Sequence, residues 1–219
     1  MEASRVPARE PTAGERGRAV AAESTAARAA WVPADPGPLG LAAFALTTFV
    51  LSMFNSELVG KGGEPVVLGL ALAYGGLAQL LAGMWEFRTG NTFGAVAFTS
   101  FGAFWLSFAA FVAFFEPQVP AGSLSSAVGL YLWAWAIFTT YMFVASLRTT
   151  GAIALVFLLL SVTFILLAAG NSGDNTDVIK WGGYVGLATA AAAWYASFAA
   201  VVNSTFRRTV LPVAPLARE

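Results

Sequence analysis

The sequence contains no cysteine and no histidine. Without cysteine there is no disulfide, no thiol nucleophile and no thiolate metal ligand, and the redox compartment stays unread. Without histidine the commonest general base, proton relay and metal ligand is missing. Serine proteases of the Ser–His kind are excluded, intramembrane ones included. No cofactor and no metal are expected. Charge is also scarce. Twelve Lys and Arg balance twelve Asp and Glu, and together they make 11% of 219 residues. Soluble domains carry about 25%. A net charge of zero leaves no electrostatic footprint for nucleic acid.

The chain is rich instead in apolar surface, with 58% of its residues hydrophobic. One soluble core cannot hide that much, so the composition points to a membrane protein. Six long apolar runs fall at about 39–56, 65–86, 92–115, 124–147, 151–170 and 178–202. Each has roughly 18–25 residues, enough at about 1.5 Å per residue to cross a hydrocarbon core of about 30 Å. The runs do not alternate in polarity as barrel strands do. The expected fold is therefore all-α, with six transmembrane helices. Turn residues separate them, as in VGKGGEP, EFRTGN, EPQVPAGS, LRTTG and GNSGDNTD.

Residues 1–30 alternate Arg and Glu among Ala, Pro and Gly. They hold no apolar block, so the expectation is a disordered tail and not a signal peptide. A membrane domain is expected over 31–206 and a short tail over 207–219. The tails and the breaks at 87–91 and 148–150 hold ten of the twelve Lys and Arg, and the opposite loops hold only Lys61 and Lys180. By the positive-inside rule both termini are expected to face the cytoplasm; an inner or plasma membrane is the expected location.

No charged residue lies in the centre of a run; Glu57, Glu64, Glu86 and Arg88 sit at the ends. That argues against a side-chain proton relay and against an intramembrane enzyme. The neutral polar residues inside the runs are Thr47, Thr48, Gln79, Thr99, Ser100, Thr139, Thr140, Ser161 and Thr163. They serve either as interhelical glue or as donors along a narrow path for a small polar solute. The candidates for such a path are Thr47, Thr48, Gln79, Asn91, Thr99 and Ser100. Paired threonines in the first and fourth runs, FALTTFV and AIFTTYM, hint at two three-helix halves, the second inverted.

The stretch Asp35, Pro36, Gly37, Pro38, Leu39, Gly40, Leu41 opens the first run. Asp35 can cap a helix start, and proline fits a first turn. The two glycines exceed what a cap requires and allow close approach of another group. DPGPLGLAAFALTT resembles the Asn-Pro-Ala-Pro-Leu-Gly-Leu signature of the acetate uptake transporters, or acetate–succinate permeases. AYGGLAQLLAGMWEFRTGNTFGAVAFTSFGAFWLS (73–107), LLAAGN (166–171) and RRTVLPV (207–213) agree in order. The resemblance implies a six-helix protomer with its own pore, assembled as a homohexamer, carrying acetate and succinate or other short carboxylates. It implies an apolar constriction at Phe44, Phe101 and Leu160, where the residues alone read as core packing. Two positions depart from the family pattern: Asp35 replaces Asn and Phe101 replaces Tyr. The implied partners are a small carboxylate, lipid and further copies of the chain. Passage of the anion, or of acetate together with a proton, needs no protein base. The rival reading is a structural or acetate-sensing membrane protein that carries nothing.

Overall fold

The computed structural model describes residues 10–31 and 33–216. The outermost parts of the expected tails, 1–9 and 217–219, lie outside the described residues. The chain divides into two units, with the second starting at Asp35.

The first unit holds one helix, α1 (Ala13–Ala30). This differs from the disordered tail expected there. The segment is rich in Ala, the best helix former, and a capping box starts it. The Glu15 amide donates to Thr12 Oγ1 (3.3 Å) and the Thr12 amide donates to Glu15 Oε2 (2.7 Å). The Thr12 amide, bonding the charged form, holds the Glu15 carboxyl below the ordinary carboxylate range.

The second unit is a bundle of six helices, each long and apolar enough to cross a membrane. They are α2 (Gly37–Asn55), α3 (Val66–Thr89), α4 (Thr92–Gln118), α5 (Ala121–Ser146), α6 (Gly151–Ser172) and α7 (Thr176–Phe206). All six expected runs are present. Their ends move by up to about four residues, because caps and last turns lie outside the apolar stretch. Among the described residues there is no strand, only an isolated bridge between Thr150 and Pro215. Short loops make neighbouring helices antiparallel, so α2, α4 and α6 run the same way. We call the end that carries Lys61 and Asn171 the upper end.

Helix α3 contains a π-helical turn at Ala73–Ala78, directly before Gln79, and α4 ends in another at Phe111–Phe115. Such turns widen a helix by one residue and re-aim the side chains beyond them. Helices α3 and α4 approach closely because glycines on each leave room for the other's backbone and side chains. A methyl group on Gly102 would stand 2.6 Å from the Leu80 nitrogen and 2.8 Å from its Cα. The segment 207–216 folds back on the bundle. The Gly151 amide donates to the Ala214 carbonyl (2.6 Å) and the Ala152 amide to that of Val213 (3.2 Å). Two free donors at the start of α6 are thereby satisfied. Asn203 pins the same segment, accepting from the amides of Val210 (2.7 Å) and Leu211 (2.9 Å). The RRTVLPV motif therefore has a structural task.

Gly102→Ala is expected to lower stability by about 1–3 kcal/mol through overpacking against the Leu80 backbone. Gly69, which has open space around it, provides the control as Gly69→Ala. Thermal unfolding in detergent reads both; equal melting temperatures would contradict the packing account.

Candidate functional site: an apolar plug beneath a cavity

Phe44 on α2, Phe101 on α4 and Leu160 on α6 are all buried. The Phe44 and Phe101 ring centroids are 5.8 Å apart. Phe101 also meets Phe138 at 5.4 Å, Trp135 at 5.9 Å and Phe157 at 6.1 Å, and stacks on Phe164 at 6.4 Å. Phe157 and Phe164 lie three residues before and four after Leu160, so all three share one face of α6. The structure thus brings the three positions into one buried apolar cluster, called the plug.

Above the plug lies a cavity of about 660 Å³. Its deepest wall residues are Phe44, Phe104 and Leu160, and its upper rim holds Lys61, Glu64, Glu116 and Asn171. Burial raises the Glu64 carboxyl above its ordinary range, and nearby Lys61 opposes that rise. Glu57, by contrast, is lowered, chiefly by its bond from Lys180 Nζ (2.8 Å).

The polar candidates divide by what their hydrogen bonds do. Thr47 Oγ1 donates to the Ala43 carbonyl (2.9 Å), which occupies it within its own helix. Thr139, Thr140, Thr163 and Thr189 do the same to the carbonyl four residues back. Thr48 does not: its Oγ1 is buried, unpartnered and on the cavity wall. Gln79 Oε1 and Thr99 Oγ1 are also buried without partners, but neither residue lines the cavity. Ser100 is partly buried. Asn91 caps α4, accepting from the Gly94 amide (3.0 Å) through Oδ1, and its Nδ2 donates to Glu86 Oε2 (3.0 Å). Both ends of that amide are occupied.

The Asp35–Leu41 stretch starts α2 one residue later than its acid suggests. Pro36 holds the cap position, and Asp35 Oδ1 accepts from the Gly37 amide (2.8 Å). The two glycines make room for side chains. A methyl on Gly37 would stand 3.0 Å from Asp35 Oδ1 and in ordinary contact with Glu86 Oε1 at 3.5 Å, and one on Gly40 would stand 2.6 Å from the Phe98 ring. Ser197 Oγ on α7 donates to the Pro38 carbonyl (2.7 Å), tying the same turn to the last helix.

Two residues escape sequence reasoning. Glu86 stands at the end of an apolar run, yet it is only 2% exposed. Its Oε2 accepts from Thr89 Oγ1 (3.0 Å) as well as from Asn91. The partners are near in sequence, but the burial comes from Gly37 and Gly94 on other helices. Trp105 is 2% exposed, lines the cavity, and its Nε1 has no hydrogen-bond partner. Among so many apolar aromatics nothing in the sequence marks it.

A multi-pass membrane bundle with an apolar plug beneath a polar-rimmed cavity is the class of protein these features define. The chain belongs to the GPR1/FUN34/yaaH family, whose model matches residues 21–218. It is 44% identical to acetate permease A of Emericella nidulans over 83% of this chain and 66% of that protein. It is 39% identical to the succinate-acetate/proton symporter SatP of Escherichia coli over 82% of this chain and 95% of that protein. The solved structure of the bacterial acetate channel SatP superimposes with a TM-score of 0.78 at 38% identity, covering 84% of this chain and all of that one. The chain spans 62–66% of the length of the fungal relatives it matches.

Glu86→Ala leaves the Asn91 Nδ2 donor without its acceptor at the joint of α3 and α4, while Thr89 Oγ1 keeps the backbone carbonyl at position 86 (2.9 Å). An unfolding free energy lower by about 1–3 kcal/mol is expected, read as a drop in melting temperature. An unchanged melting temperature would show that this carboxylate does not hold the joint.

Proposed function

We propose that the protein is a membrane permease for acetate, and for succinate or other short carboxylates. The supporting observation is the buried apolar cluster of Phe44, Phe101 and Leu160, of which Phe44 and Leu160 line the 660 Å³ cavity. In this reading solute crosses by parting the plug. A bare anion in an apolar ring is costly, and a short acid lowers that cost because one end of it is a methyl group. Thr48 lies on the cavity side, and the unpartnered Gln79 and Thr99 continue the path toward the lower end. The names of the E. nidulans and E. coli relatives agree with this substrate class. Thr47 and Asn91 act as structural supports, since their polar atoms are bonded within the fold.

The membrane is an inner or plasma membrane, with both termini in the cytoplasm, as the Lys and Arg distribution supports. The assembly is a homohexamer, on the resemblance of the signature. No titratable side chain stands at the plug, so solute passes as the anion or as acetate accompanied by a proton. Flux that follows membrane voltage identifies the anion; flux that follows acetic acid concentration identifies the neutral form.

Labelled acetate uptake into proteoliposomes near pH 7.5, beside protein-free vesicles, tests the function. At that pH acetic acid is a small minority species, as its carboxyl titrates near pH 4–5. Flux above the lipid leak is expected, falling at least about ten-fold in Phe44→Trp, a loss equal to about 1.4 kcal/mol of barrier. Uptake equal to the leak would overturn the transport reading and favour a structural or sensing role.

A further inference from the structure

We propose that Glu64 and Glu116 are specificity-determining residues: at the upper mouth of the cavity they form a charge filter that passes singly charged carboxylates and holds back doubly charged ones. This rests on the permease reading and narrows its substrate class.

The sign of the mouth follows from the sequence and the helix directions. Five carboxylates stand at the upper end, Glu57, Glu64, Glu116, Asp174 and Asp177, against two cations, Lys61 and Lys180. Arg88, Arg148, Arg207 and Arg208 are all at the opposite end. Three helices finish at the upper end and three start there, so their dipoles nearly cancel and the side chains set the sign.

The positions of the two lysines decide what the rim keeps. Lys180 Nζ lies 2.8 Å from Glu57 and 3.9 Å from Asp177, and Lys61 Nζ lies 3.6 Å from Glu57. Lys61, Glu64 and Glu116 line the cavity, whereas Glu57, Asp177 and Lys180 do not. Glu64 and Glu116 make no ion pair among the described residues. They act on one another all the same: burial raises the Glu64 carboxyl, Lys61 pulls it down and Glu116 pushes it up. The rim therefore carries two carboxylates against one lysine, which is itself shared with Glu57. Neutral donors beside them are engaged elsewhere. Ser125 Oγ donates to Asp174 Oδ1, and Asn171 Nδ2 donates to the Leu167 carbonyl (2.8 Å).

Repulsion grows with the product of the charges, so a dianion meets twice the barrier of a monoanion. Apolar walls concentrate the field at the mouth of a cleft. A cavity of about 660 Å³ has room for a two-carbon or a four-carbon acid, so volume does not separate them. Charge does.

The test is uptake of labelled succinate and labelled succinamate into proteoliposomes at pH 7.5, with acetate run alongside. The two four-carbon solutes have nearly the same shape. Succinate carries two charges there and succinamate one, because carboxyl groups titrate well below that pH. Every crossing passes the upper mouth, whichever way the chain sits in the vesicle. The parent chain should favour succinamate. Glu64→Gln and Glu116→Gln should each lower the succinamate-to-succinate ratio about three-fold, and Lys61→Gln should raise it by about as much. Charge predicts these opposite signs and packing does not. Raising salt from about 0.1 M to about 1 M shortens the screening length from about 10 Å to about 3 Å, and should lower the parent's ratio too. That arm needs no variant, so it carries the test if a variant does not fold. A ratio unmoved by the substitutions and by salt, in chains that take up acetate, overturns the filter and leaves the permease reading intact. Acetate uptake equal to the lipid leak overturns the permease reading, and the filter falls with it.

Discussion

Five aromatic rings converge on Phe101, from α2, α5 and α6. Much else in the bundle depends on that nest. Each well-placed ring pair contributes about 0.5–1.5 kcal/mol beyond area burial, so the cluster binds four helices at one level. The same cluster adjoins the cavity through Phe44 and Phe164, and all of its rings but Trp135 lack a polar atom. The family's usual tyrosine would bring a hydroxyl into this nest; phenylalanine keeps it dry.

Around the plug the polar groups fall into two sets. One set is consumed in building the bundle: Thr47 and its fellow helix threonines, Asn91 at the start of α4, and Asn203 holding the returning tail. Lipid supplies no hydrogen bonds, so such groups must be satisfied from within. The other set is left open: Thr48, Trp105, Gln79 and Thr99. Open groups are expensive in a protein interior. Glu86 lies apart from both sets, a carboxylate closed in by Thr89 and Asn91 beneath the first turn of α2.

The six helices are legible in the sequence because their apolar runs are long and their breaks are rich in Gly, Pro and charge. α1 is not, because the absence of an apolar stripe outweighs the Thr12–Glu15 capping box that the sequence does contain. Asp35 is legible as a cap to within one residue. The plug is legible only through the resemblance; by residue type alone Phe44, Phe101 and Leu160 are core. Which threonines stay unpaired depends on hydroxyl direction, and the burial of Glu86 depends on glycines of two other helices. Neither leaves a mark in local sequence. The same holds for Trp105, one of seven tryptophans.

The central claim is that solute crosses between Phe44, Phe101 and Leu160. The most direct test is the size selectivity of Leu160→Ala, measured as the ratio of labelled butyrate to labelled acetate uptake in proteoliposomes. A higher ratio than in the parent chain is predicted, because trimming one side of the plug widens it for the longer tail. An identical ratio in folded protein would contradict this and place the path elsewhere.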